Sequence, residues 1–244
     1  MRTANPALND KAFQNFPASL SSEPMTVQGT VNKTFLALFI LLGTAAWTWG
    51  QAFSGGNVQA LIGVSAIAGF IVGLVTIFKK SWAPVTTPIY SAVQGLVIGS
   101  ISAYFEMRFP GIVIQAVTLT FGTLFALLLA YQSRLIRVDQ NFRLGLVAAT
   151  GGIMVVYVVD LIMSLFGHRI PFIHESGLFG ILFSLFVVVI AALNLVLDFD
   201  FIEQGAAAGA PKYMEWYGAF GLMVTLIWLY MEILRLLAKT RRRD

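Results

Sequence analysis

The chain has 244 residues, of which 16 are Lys or Arg and 12 are Asp or Glu, giving a net charge of +4. Some 57% are hydrophobic and 11% charged, against roughly 45–50% and about a quarter in soluble domains. So few charges cannot cover the surface of a soluble fold this size. An ordinary cytosolic enzyme is excluded and a polytopic membrane protein is expected.

Cysteine is absent, which removes disulfides, thiolate metal sites and a thiol nucleophile. The two histidines, His168 and His174, flank Pro171 in an expected loop, and two His without Cys do not furnish a tetrahedral zinc site. The pI near 9.5 could point to nucleic acid, but Lys239, Arg241, Arg242 and Arg243 against Asp244 supply most of the net charge. A short basic tail (239–244) after an apolar helix reads as a membrane-surface anchor, and no nucleic-acid partner is expected.

Residues 1–33 are polar and rich in Asn, Ser and Pro, so they are expected to form a mobile extramembrane tail. No apolar stretch follows the basic start closely, so a cleavable signal peptide is not expected. Seven apolar runs follow: Thr34–Phe53, Val58–Phe78, Ser81–Phe105, Phe109–Ser133, Leu144–Phe166, Ser176–Leu197 and Trp216–Ala238. Each reaches the ~20 residues that a bilayer crossing needs. Continuous runs also exclude a barrel, whose strands alternate over ~10 residues. The expected fold is an all-α membrane protein, a seven-transmembrane-helix bundle over 34–238 with the last helix central. Gly69 with Gly73, and Gly95 with Gly99, put small residues on one helix face, where they are expected to serve close packing.

Nine Lys and Arg lie in the tail before the first run and in the 2–3, 4–5 and 6–7 connections, against Arg108 and Arg169 on the other side. This bias puts the N-terminus in the cytoplasm. Seven crossings then leave the basic C-terminal tail outside, against the same rule. Either the early loops dominate or one late segment is re-entrant.

Charge at membrane depth costs roughly 3 kcal/mol on insertion scales and so marks a partner or a purpose. Five residues qualify: Asp160, Asp198, Asp200, Glu232 and Arg235. Asp160 reads either as a hydrated carboxylate near the interface or as a second polar site. Asp198 shares a face with Asn194 at i−4, whereas Asp200 lies about 200° around the helix, unless the sixth helix ends here and all its acids are solvated. Glu232 follows sixteen uncharged residues of the last run, Trp216 to Met231. It can pair locally with Arg235 at i+3 or face a carboxylate from another helix. Two carboxyls in contact cannot both ionise cheaply; sharing one proton makes a pH switch, and ionised together they make an oxygen site suited to a hard cation.

The string LNLVLDFDFIEQG around Asp198, WLYMEILRLL around Glu232 and the early RTANPALNDKAF together resemble the Bax inhibitor-1 (transmembrane Bax-inhibitor-motif) family, in its bacterial branch. The resemblance implies a seven-helix membrane protein acting as a pH-sensitive calcium leak, with Asp198 and Glu232 as a two-carboxylate sensor, or as the Ca²⁺ ligands, between the last two helices. It also implies a basic latch at the end of the second helix, for which Lys79 looks like the counterpart, with the adjacent Lys80 as the alternative. Leu197-Asp198 stands where the family has a Tyr-Asp dipeptide or one like it, and Glu232 stands where the family has Asp, one methylene longer. Lys79 lacks the fork of Arg, so a latch there is looser.

The implied partners are the lipid bilayer, Ca²⁺ and protons, with no cofactor. The other reading is a non-conducting regulator that binds a membrane protein such as a protease through its N-terminal tail. An enzyme is not expected: the Gly-x-Gly-Asp, His-Glu-x-x-His and Gly-x-Ser-x-Gly motifs are missing, and no lysine sits at mid-depth of the last helix to hold retinal. A bacterial inner membrane is the expected location.

Overall fold

The computed structural model describes residues 23–167, 170, 175 and 177–242. The expected mobile tail over 1–22, the loop residues His168, Arg169 and His174, and the last two residues lie outside them. Among the described residues seven long helices follow in order: α1 (Val27–Phe53), α2 (Gln59–Phe78), α3 (Ala83–Arg108), α4 (Ile112–Gln132), α5 (Gln140–Leu165), α6 (Leu178–Ala207) and α7 (Met214–Arg241). Among the described residues there is no strand, only an isolated bridge between Pro24 and Pro211. The all-α membrane fold expected from the apolar runs is the one observed. Six of the helices are long and apolar enough to cross a membrane, and α7 is the most buried of them.

Large apolar side chains turn outward, among them Phe39, Ile67, Leu161 and Phe179, each more than 60% exposed. In water this surface would aggregate; in a bilayer it is the solvent-matched face.

α3 is the long helix outside that set of six, because hydroxyls punctuate it. Thr86, Thr87, Ser91, Ser100 and Ser102 are all buried, so they face protein. Thr86 and Ser100 donate to carbonyls one turn back, at Trp82 and Leu96. Thr87 instead donates across to the carbonyl of Trp216, at 3.1 Å.

The described residues fall into two compact units: 23–108 with 200–224, and 109–199 with 225–242. In the first unit α1 meets α3 at the glycines expected to serve packing. A Cβ at Gly95 would collide with the Leu41 carbonyl and the Thr44 hydroxyl, and one at Gly99 with the Ala45 carbonyl and the Thr48 hydroxyl. Backbone-to-backbone approach of this kind is how helices gain packing energy inside lipid.

α1 starts at Val27, seven residues before the apolar run. Thr26 caps it by accepting from the Gly29 amide at 2.9 Å, and Gln28 donates to Asn32 one turn on. These polar contacts carry the helix out past its apolar stretch. Just past the end of α6 the chain turns at Gly209, whose φ of 65° permits the Ala210 amide to reach the Gly205 carbonyl at 3.1 Å. The freed Ala210 carbonyl then accepts from the Met25 amide at 2.6 Å, and Met25 is buried. Residues 23–26, expected to be mobile, are therefore strapped to the connection between α6 and α7.

In the second unit Leu146 and Ile153 of α5 pack with Val187, Ile190 and Leu197 of α6, and Tyr157, Phe183 and Trp228 close around them.

Candidate functional site

Asp198 sits inside α6, which runs on unbroken for nine more residues to Ala207. The alternative of a helix ending at Asp198 with its acids solvated therefore does not hold. Asp198 is fully buried at 0% exposure. One turn back, buried Asn194 donates to Thr150 Oγ1 of α5 at 2.9 Å and to its own helix at the Ile190 carbonyl. The face shared by Asp198 and Asn194 thus points into protein. Asp200 is half-buried and accepts from Gln204 at 2.8 Å, one turn along the same helix.

Glu232 of α7 is 2% exposed. Its Oε1 accepts from Arg235 Nη1 at 2.9 Å and from the Tyr157 hydroxyl of α5 at 2.9 Å, and its Oε2 lies 3.2 Å from the same Arg235 nitrogen. Arg235 Nη1 also donates to the Tyr157 hydroxyl at 2.9 Å, so the three side chains close a ring. The expected local pairing of Glu232 with Arg235 is present. Three residues further along α5, Asp160 accepts from the Ile170 amide at 3.0 Å and so fastens the chain just beyond its helix.

Lys79 ends α2 in the first unit, exposed, with its ammonium 4.6 Å from the centre of the Trp82 ring. The adjacent Lys80 faces the Tyr217 ring at 5.6 Å, and burial holds its ammonium below the usual lysine range.

Three features escaped the reading of the sequence. Tyr157 is one; a lone phenol in an apolar run gives only the weak signal that its hydroxyl needs a partner. The second is Glu215, fully buried in the first turn of α7. It takes hydrogen bonds from the Thr26 amide and hydroxyl at 2.9 and 3.0 Å, pairs closely with Lys33 and lies 3.4 Å from Lys212. A Cβ at Gly29 would collide with its carboxylate. The third is Lys239, assigned above to a surface anchor. It is 4% exposed and donates to the Gly180 carbonyl at 3.0 Å and to Ser184 Oγ at 2.8 Å on α6. Arg241 likewise reaches the Pro110 carbonyl at 2.7 Å. Lys239 bonds to protein because it continues a face of α7 that is already turned inward; Arg241 lies about 200° around the helix from Lys239 and is half-buried.

Among the described residues, no three His, Cys, Asp or Glu side chains gather as a metal cage.

Apolar outward faces, with buried carboxylates and a half-buried phenol and arginine inside the spans, define an α-helical integral membrane protein. The chain belongs to the Bax inhibitor 1 like family, whose model matches residues 5–242. No curated protein and no solved structure matches it.

Proposed function

We propose that the protein is a pH-sensitive calcium leak of a bacterial inner membrane, with Asp198 and Glu232 as its sensor and its N-terminus in the cytoplasm. One observation carries this reading. The two most buried apolar spans, α6 and α7, each keep a carboxylate inside, at 0% and 2% exposure, in the same compact unit. A charge that costs roughly 3 kcal/mol to insert needs a partner or a purpose, and family membership supports a functional one here. One proton shared by the two carboxylates removes one of their charges and favours close packing of α6 with α7, while Glu232 can stay ionised against Arg235. Ionisation restores carboxylate oxygens, the ligands a hard cation prefers, with carbonyls or water completing its shell.

The test is Ca²⁺ flux in proteoliposomes at acidic and at mildly alkaline pH. The leak should respond to pH in the wild type and lose that response in Asp198→Asn and Glu232→Gln. An unchanged response in both variants sinks the sensor assignment. The latch role of Lys79 belongs to the same proposal and predicts a weaker alkaline leak in Lys79→Gln. Folded wild-type protein that passes no Ca²⁺ at either pH would favour the non-conducting regulator.

A further inference from the structure

The second half of α7 carries three charged side chains on one stripe. Steps of three and seven residues from Glu232 bring Arg235 and Lys239 within about 60° of it around the helix. Arg235 lies against both carboxylate oxygens of Glu232, at 2.9 and 3.2 Å. Tyr157 holds the guanidinium from α5 in two ways: its hydroxyl accepts from Nη1 at 2.9 Å, and its ring centre lies 5.4 Å from the guanidinium carbon. Lys239 stands one turn beyond, its ammonium fixed on Gly180 and Ser184.

A divalent cation binds through bare oxygens, roughly six to eight of them at about 2.3–2.6 Å. A guanidinium on the carboxylate cancels its charge and puts a like charge where the cation would sit. Arg235 and Lys239 also repel any cation approaching Glu232 from the C-terminal end of the stripe. The partner able to move is Arg235, whose side chain is 38% exposed against 2% for Glu232.

We infer that Arg235 is the gate of the cation path, closing it by occupying Glu232, and that Tyr157 is the residue positioning its guanidinium. This rests on the leak reading above. A cation uses Glu232 only after the guanidinium has swung off, so the conformation described here is the closed one.

The experiment measures Ca²⁺ entry into proteoliposomes holding the full-length chain, at the pH where the wild-type leak is lowest. Arg235→Gln should raise entry about fivefold or more, the low end of ordinary coupling between sites. Arg235→Lys keeps the charge but loses the fork, so its rise should be smaller, as should that of Tyr157→Phe. Adding Glu232→Gln to Arg235→Gln should bring entry back to the wild-type level or below, a reversal that general loosening of the fold would not give.

The inference is overturned if the wild-type leak responds to pH while Arg235→Gln leaks no faster. It is overturned equally if the double variant leaks as fast as Arg235→Gln alone. Should Arg235→Gln not fold, unchanged entry in Tyr157→Phe decides against it. A wild type that moves no Ca²⁺ at any pH removes the leak reading itself, a result separate from these.

Discussion

Among the described residues two glutamates lie out of water, both on α7 and both paired with a basic residue, yet they are built differently. Glu215, in the first unit, draws its partners from the far end of the sequence: Lys33 is 182 residues away and Thr26 is 189. Glu232, in the second, takes its charge partner from its own helix, three residues on, and adds one phenol from α5. A long-range buried pair exists only when the fold does, so Glu215 fastens the strap 23–26 and the head of α1 to the start of α7. An i,i+3 pair exists as soon as the helix does and lowers the cost of inserting α7 alone. The arrangement at Glu232 therefore owes less to fastening distant segments, and its arginine can leave without unthreading them.

Stability measurements on purified protein in detergent should separate the two. Removing one member of a buried ion pair leaves the other uncompensated, at about 3–5 kcal/mol. Because Lys33 is 21% exposed, Glu215→Ala belongs at the low end of that range, near 3 kcal/mol. Gly29→Val should destabilise in the same direction, since its side chain would need the space of the Glu215 carboxylate. Glu232→Gln keeps an acceptor for Arg235 and Tyr157 and should lose about 1 kcal/mol, while altering flux far more than Glu215→Ala does. A larger loss of stability at Glu232 than at Glu215 would reverse the comparison. A double-mutant cycle sharpens it: coupling between Lys33 and Glu215 should exceed coupling between Arg235 and Glu232.

The same contrast explains what could be read in advance. Helices α2 to α7 and the pair Glu232–Arg235 are legible because both depend on local spacing: long apolar runs in one case, an i+3 interval in the other. Gly95 and Gly99 were legible as packing residues for the same reason. Glu215 was not, because an acid in the first turn of a helix has an ordinary role near the helix dipole, and its real partners lie at the other end of the chain. The start of α1 was missed because Gln28 and Asn32 are polar and the cap at Thr26 is a single residue. Lys239 was hidden in a basic cluster. Its phase gave the clue, since seven residues from Glu232 returns to the buried stripe.

Lys239 tests how far that inward stripe extends. Its ammonium is buried and hydrogen-bonded to Gly180 and Ser184. Replacing a satisfied buried charge with an apolar side chain of similar volume is often close to neutral, so Lys239→Met should change stability by less than about 1 kcal/mol. A membrane-surface anchor would behave differently: its loss should lower affinity for anionic vesicles, which the contacts to Gly180 and Ser184 do not predict. Lys239→Met protein that loses dependence on anionic lipid would return this residue to the surface role.

The smallest effect belongs to Lys212, the exposed outer member of the Glu215 group. Its ammonium lies 3.3 Å from Glu23 and 3.4 Å from Glu215, and these contacts, the hydrogen bond to Glu23 foremost, raise its pKa above the ordinary lysine value of 10.5. The folded chain thus binds that proton more tightly than the unfolded chain does. The resulting stability is fully present below pH 10.5 and is lost as pH rises through the raised value. Lys80 has the opposite sign, because burial lowers its pKa and stability from it grows as pH rises. Subtracting the melting temperature of Lys212→Met from that of the wild type cancels Lys80 and isolates Lys212. The difference should be smaller than that for Glu232→Gln, flat from neutral pH to about 10, and should close above that. A gap that widens above pH 10.5 would mean that Lys212 is strained in the fold, and that the fastening at Glu215 rests on Lys33 and Thr26 alone.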